Sequence, residues 1–340
     1  MMTKPEMQSK SSIGQRFLNL YVKLLRRVWH YLPGSIRKSA LGLAFADHLD
    51  RKVRLCSNRS QYFATFFLRN RPELDLLRRM VEQKPFGSRL DMTILACSKG
   101  AEVYSMAWII RSARPDIDLR INAVDISEGI VEFAAQGVYS MRKPDDEDIP
   151  SEEAVRQKKG VASIPSSDKN AWIFERMSQA EIDSMFELSG DNASVRPQLR
   201  KGISWRTGDA TDPDLPALLG PQDIVVANRF ICHMRPPEAE KCLRNIGRFV
   251  KPGGLLFVYG LDLDVRTRIA VEGGWTPVTD SIREIHEGDE SLRNAWPVSY
   301  WGLEPLNDKR ANWQLRYASV FQIGESAPQT RDLVGLEREI

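Results

Sequence analysis

Thr93-Ile94-Leu95-Ala96-Cys97-Ser98-Lys99-Gly100-Ala101-Glu102 is the stretch that decides the fold of this chain. An apolar run ends in small residues and one glycine, and an amphipathic segment, Val103 to Ile110, begins at once. A second apolar run, Ile121-Asn122-Ala123-Val124-Asp125, then ends in an acid. Strand, small-residue turn, helix, strand, acid is the wiring of a nucleotide-binding crossover. The turn lets a ligand approach the backbone, and the acid can hold ribose hydroxyls. An ordinary βα turn shares the first half of that outline. The placement of Asp125 separates the two.

Outward from this unit, strands are expected near 92–97, 120–125, 203–206, 223–228, 255–260 and 314–323, with helices near 101–113, 127–136 and 237–250. That alternation predicts an α/β fold with helices on both faces of a mostly parallel sheet. Residues 138–200 interrupt it as a polar insertion, with a helix expected at 178–188. The last apolar run, Trp313 to Ile323, has no helix after it and is expected to lie antiparallel at the sheet's end. Residues 1–15 read as a loose tail and 16–88 as a helical N-terminal region broken near Arg71-Pro72. The α/β domain is expected over 89–325, followed by a charged tail at 326–340.

Of the 340 residues, 42% are hydrophobic and 27% charged, as in a soluble globular protein. No apolar run approaches the roughly 18 residues that span a bilayer. The polar first fifteen residues predict no signal peptide. Cys56, Cys97, Cys232 and Cys242 show no metal-ligand or redox spacing, so no metal site is expected and a reduced cytoplasm is the expected address. No nucleic-acid signature stands out.

The net charge of +3 hides an asymmetry. Residues 1–60 carry 12 Lys and Arg against 3 acids, a net of +9, which leaves the remainder at −6. Between Phe17 and Leu32, apolar residues at helical spacing alternate with Lys23, Arg26, Arg27 and His30 until Pro33-Gly34. Such a helix can meet an anionic partner surface, or pack its apolar face on the main domain with its basic face merely solvated.

Three further segments complete a pattern. Gly208-Asp209-Ala210 follows a short strand and places an acid where an adenine amine can be read. Asp223 to Arg229 is a buried strand ending in Asn228 and Arg229, and Lys251-Pro252-Gly253-Gly254 is a helix stop and turn before another strand. This order of events is similar to that of class I S-adenosylmethionine-dependent methyltransferases, with their Rossmann-like sheet. Over roughly residues 60–325 the chain resembles, more specifically, the chemotaxis receptor glutamate methyltransferases, the CheR family. The resemblance rests on Thr65-Phe66-Phe67-Leu68-Arg69, on Ser98-Lys99-Gly100-Ala101-Glu102-Val103-Tyr104-Ser105-Met106-Ala107, and on Asp125-Ile126-Ser127 with Ala135, Gly137 and Tyr139 in register. It also rests on Ala227-Asn228-Arg229-Phe230-Ile231-Cys232-His233-Met234. The insertion at 138–200 lies where the family carries a small β-subdomain.

The resemblance implies S-adenosyl-L-methionine as cofactor, surrounded by Thr65, Arg69, Ser98, Gly100, Glu102, Asp125, Ile126, Asp209, Ala210, Asn228 and Arg229. Arg69 and His233 are the candidate catalytic residues. Arg69 can bind the cofactor's carboxylate or orient an acidic acceptor. His233 can act as a base toward a hydroxyl or amine. The chain departs from the family at Phe63, Lys99, the transposed Asn228-Arg229 pair and His233, which stands where the family has tyrosine. Three readings follow: methylation of a carboxylate on an acidic protein or small-molecule acceptor, O- or N-methylation of a small molecule with His233 as base, and a non-catalytic cofactor-binding regulatory protein.

Overall fold

The computed structural model of the chain describes residues 13–57, 59, 65–143 and 172–324. Most of the expected tails at 1–15 and 326–340 lie outside the described residues, as does Phe63. The chain divides into two units, one formed by residues up to 59 with 290–305 and the other by 60–289 with 306 onward.

In the smaller unit, α1 (Ile13–Tyr31) packs on α2 (Ala40–Cys56). The start of α1 at Ile13 lies inside the span expected to be loose. Val22, Leu25, Leu49, Val53 and Tyr300 form the core between them, with Trp29 and Phe45 stacked at its margin. Only one side of α1 is used in this way: Phe17, Leu20, Leu24 and Tyr31 are exposed, as are Lys23 and Arg27. Arg26 is committed structurally, its Nε donating to the Val298 carbonyl at 3.0 Å. Residues 290–305, expected within the α/β domain over 89–325, join the N-terminal helices instead, and Tyr300 supplies part of their core.

In the larger unit, β1 (Arg89–Leu95), β2 (Asp118–Asp125), β6 (Ile203–Thr207), β7 (Gln222–Val226) and β8 (Val250–Phe257) run parallel in the order β6-β2-β1-β7-β8. β10 (Val320–Gln322) follows, antiparallel to both β8 and the edge strand β9 (Thr276–Pro277). A central β1 flanked by β2 and β7, with one reversed strand near the far edge, is the class I methyltransferase sheet. β1 and β7 are buried over most of their length, as their unbroken apolar runs require. Parallel register brings the turns after β1, β2, β6 and β7 to one edge, the carboxyl edge where such sheets hold ligands.

Three elements differ from expectation. The helix Trp313–Tyr317 occupies the first half of the run expected as one strand, leaving only three residues for β10. The Lys251–Gly254 segment is the irregular start of β8 rather than a turn before it, with Gly253 at φ +77° where the register with β7 shifts. Helix α3 (Arg71–Glu82) belongs to the sheet unit, not to the N-terminal helices. It buries Leu74, Leu76, Leu77 and Val81 and packs on α4 (Ala101–Ala113). Arg114, at the end of α4, donates to the carbonyls of Val81, Lys84 and Pro85 and so closes the C-terminus of α3.

Within the insertion, β3 (Val138–Ser140), β4 (Phe186–Ser189) and β5 (Asn192–Val195) form an antiparallel sheet in the order β3-β5-β4. The helix expected at 178–188 spans Gln179–Met185, its Ser178 side chain and Glu181 capping each other. Phe67 enters this subdomain from outside. Its ring lies 5.0–5.4 Å from those of Phe186, Tyr139 and Phe174, and its N–H donates to the Ile173 carbonyl at 3.0 Å. Among the described residues, no helix is long and apolar enough to cross a membrane.

Candidate active site

The turn after β1 is wound tightly. Ala96 and Ser98 hold positive φ (+53° and +50°), and Gly100 (φ +84°) starts α4. Non-glycine residues in this region cost of the order of 1 kcal/mol each. The reward is an open turn whose Ser98 N–H reaches Asp125 Oδ2 at 2.9 Å across the sheet edge. Asp125 Oδ1 accepts from the Ser127 N–H at 3.1 Å. Burial raises the pKa of Asp125, while these backbone donors pull it down. Each carboxylate oxygen keeps lone-pair capacity for a further donor such as a ribose hydroxyl. Gly100 itself does not line the cavity. A Cβ there would lie 3.1 Å from both Ala134 and Trp205, so close packing requires glycine at this position.

The loop after β6 is fixed from both sides. Asp209 Oδ1 accepts from the Thr211 N–H and hydroxyl at 2.8 Å, and Asn245 donates to the Ala210 carbonyl at 2.9 Å. Asp209 thus caps its own loop while also lining the cavity.

At the end of β7, the Asn228 amide is a bridge. Its Nδ2 donates to Glu73 Oε1 at 2.7 Å and to Glu102 Oε1 at 2.9 Å, and its Oδ1 accepts from the Tyr259 N–H at 2.9 Å. Both carboxyls are raised above their ordinary pKa by burial. Glu73 is pushed up to about 8, with Glu102 as the next cause; Asn228 and Arg69 pull both acids down. Arg229 holds φ +59°, donates its N–H to the Tyr259 carbonyl at 2.8 Å and pairs with the fully buried Asp289. Gly260 is required opposite it, because a Cβ there would fall 2.6 Å from Arg229 Cγ.

Arg69 comes from the segment held by Phe67 in the inserted subdomain and by Leu68, whose N–H donates to Ser105 Oγ at 3.0 Å. Its guanidinium lies 5.3 Å from the Phe66 ring centroid, and Arg176 lies 4.6 Å from the same centroid. Burial and then Arg229 push Arg69 down to about 10, so it remains charged at neutral pH. Arg176 also donates to Asp289 at 3.2 Å. Three guanidinium groups therefore gather round Asp289 and Glu102.

One cavity is lined by Thr65, Arg69, Ser98, Glu102, Asp125, Ile126, Asp209, Ala210, Asn228, Arg229 and His233, which is every site residue expected from sequence except Gly100. His233 sits in a short 3-10 turn, Ile231–His233, at the wall. Lys99, a departure from the family pattern, is exposed and outside the lining; its carbonyl accepts from the Tyr139 hydroxyl. Sequence reasoning missed Glu73, Arg176 and Asp289. Only Glu73 carried a local signal: Asn70-Arg71-Pro72-Glu73 is a helix start, with a capping side chain and a proline in the first turn.

Residues 64–163 match the family model "CheR methyltransferase, SAM binding domain", and residues 181–258 match the model "Methyltransferase domain". Over these residues the chain is similar to the CheR-type S-adenosylmethionine-dependent methyltransferases. Among curated relatives of this chain is the "Probable biofilm formation methyltransferase WspC" of Pseudomonas aeruginosa, 20% identical over 76% of this chain and 58% of that protein. Another is "Chemotaxis protein methyltransferase 2" of Vibrio cholerae, 22% identical over 57% of this chain and 60% of that one. The chain thus spans less than two thirds of the length of these relatives. Among solved structures, an O-methyltransferase family protein from Burkholderia thailandensis aligns over 92% of this chain and 72% of its own, at 12% identity and a TM-score of 0.35. The CheR-type domain binds S-adenosyl-L-methionine.

Proposed function

We propose that this chain is an S-adenosylmethionine-dependent carboxyl O-methyltransferase, acting on glutamates of an acidic protein or on another acidic acceptor. The observation that carries the reading is the gathering of Arg69, Arg176 and Arg229 beside the cavity that holds Asp125, Glu102 and Asn228. The residues fit the cofactor. Asp125, fixed by two backbone N–H groups, offers acceptors to a ribose, and the buried Glu102 carboxyl suits an ammonium. Thr65, Ser98, Ile126, Asp209, Ala210 and Asn228 complete the wall on this reading.

When bound, S-adenosylmethionine supplies a methyl group made electrophilic by its sulfonium. A carboxylate acceptor is already ionised near neutrality, so its oxygen attacks without losing a proton, and the electron pair of the broken bond stays on sulfur. What the chain must supply is alignment and a dry site. Arg69 does the first, a charged donor held against Phe66 and fixed through Phe67 and Leu68. The buried wall around Asn228 and Glu102 serves the second.

His233 at the cavity wall supports the second reading, in which the acceptor is a hydroxyl or amine and the imidazole takes its proton. Labelled cofactor incubated with cell extract and then with mild alkali separates these cases. A methyl ester releases volatile methanol; an N-methyl or ordinary ether product does not. Volatile label, lost in Arg69→Ala, is the expected result. Stable label lost in His233→Phe favours the second reading, and bound cofactor with no label favours a regulatory protein.

The basic, partly apolar outer face of α1 is assigned to an anionic partner surface, with Lys23 and Arg27 beside exposed Leu20 and Leu24. Removing residues 1–32 is then expected to weaken acceptor binding in a salt-dependent way while leaving cofactor affinity unchanged. We place the activity in the cytoplasm, where four free thiols stay reduced.

A further inference from the structure

Glu73 has no task in that reading. It is 3% exposed, at the cavity wall, in the first turn of α3, where Asn70 Oδ1 accepts from its N–H at 3.4 Å. An acid at this helix position commonly turns back to the capping residue. Glu73 turns the other way, toward Asn228, and its Oε2 is buried with no hydrogen-bond partner among the described residues. The same amide holds Glu102, so one asparagine keeps two carboxyls side by side in a dry corner.

Around the corner three guanidinium groups, Arg69, Arg176 and Arg229, meet three carboxyls, Glu73, Glu102 and Asp289, but unevenly. Arg69 acts on both Glu73 and Glu102. Arg229 acts on Glu102 but is paired with Asp289, to which Arg176 also donates. The Tyr259 hydroxyl donates to the His286 carbonyl at 3.2 Å and so not to either acid. The helix Ile282–Glu287, packed on α3, offers main-chain carbonyls there: Ile285 to Asn70 and His286 to Tyr259. Two of the three guanidinium groups thus sit on Asp289, and Arg69 is the cation that Glu73 and Glu102 share.

We propose that Glu73 and Glu102 form a paired-carboxylate seat for an ammonium group, sharing one proton when the seat is empty and releasing it to solvent when the ammonium arrives. The ammonium meant is the amino group of S-adenosylmethionine, so the inference rests on the cofactor assignment above. With it in place, Glu73 and Glu102 face Arg69 and one further cation. The one bond that breaks is the carboxyl O–H, its electron pair stays on oxygen, and the proton passes to solvent. Glu102→Gln and Glu73→Gln are then expected to act on the same binding step, although Glu73 stands outside the family motifs.

The test is calorimetric titration of the full chain with S-adenosylmethionine, without acceptor, in buffers of different ionisation enthalpy. At about pH 6.5 both Glu73 and the ligand's amine carry their protons. The expected release is close to one proton per ligand bound, with affinity rising about tenfold per pH unit and levelling near pH 8. Glu73→Gln, which keeps the acceptor for Asn228, should bind with no proton released. 5′-Methylthioadenosine, which lacks the amino-acid portion, should release none from the unaltered chain. Binding of S-adenosylmethionine without proton release, or equal release by 5′-methylthioadenosine, overturns the seat and leaves the cofactor assignment standing. No binding by the unaltered chain overturns both.

Discussion

Asp125 and Glu73 are both buried carboxyls in one cavity, and they are held in opposite ways. Asp125 accepts from main-chain N–H groups, of Ser127 in its own turn and of Ser98 in the turn after the adjacent strand. Glu73 depends on a side-chain amide contributed from a strand end far along the chain, Asn228. A carboxylate gripped by main-chain turns is ready whatever else the protein does. One gripped by a distant amide, beside a second carboxyl, depends on the state of the whole corner. The comparison teaches that the Asp125 end of this cavity is built from main-chain turns and the Glu73 end from side chains that meet through tertiary packing.

The largest effect should come from removing the bridge. Asn228→Leu would leave two buried carboxyls without their donor, and denaturant unfolding of the free protein should show a loss of about 3 kcal/mol or more. A loss below about 1 kcal/mol would show that the corner relaxes and that the contrast with Asp125 is false. Next, Asp125→Ala should weaken S-adenosylmethionine by about 1.5–3 kcal/mol, the range for hydrogen bonds to a charged group, measured by calorimetry on the folded variant. Unchanged affinity would remove Asp125 from the cofactor site.

A third comparison is in pH. The folded-state pKa of Glu73 lies above its unfolded value, so its protonated form is favoured by folding. Its contribution is fully present below the ordinary glutamate pKa, falls as pH rises and is lost by about pH 8. Thermal unfolding of the free protein should therefore show a decline over this window that Glu73→Gln flattens. The same slope in both proteins would contradict the assignment. The smallest effect is expected at Lys99, which is exposed and off the cavity: Lys99→Thr should change cofactor affinity by less than about 0.5 kcal/mol.

The same division explains what could be read from sequence. The central unit from β1 to Asp125 was legible because strand, turn, helix and acid follow one another and hydrophobic periodicity reports each element. The helix Ala101–Ala113 matches its expected bounds, and β10 is antiparallel as its lack of a following helix implied. Glu73 was not legible while Pro72 was taken as a helix break: proline fits the first helical turn, where its missing N–H costs nothing. Arg176 and Asp289 had no local signal, since what places them is their meeting at Arg229. Tyr300 in the core of the N-terminal helices is of the same kind. The short helix Trp313–Tyr317 was hidden inside an apolar run that serves either conformation.

The left-handed residues round the cavity carry a consequence for anyone redesigning this protein. Leu68, Ala96, Ser98 and Arg229 all hold positive φ, and each belongs to a segment that lines or supports the site. A search for stabilising substitutions would nominate glycine at these positions first, because glycine adopts that conformation without steric cost. Each such gain would free a backbone that Ser98 and Arg229 need fixed to reach Asp125 and Tyr259. Robustness and readiness therefore trade against each other at the same four residues, and a hardened version of this chain would have to seek its stability elsewhere.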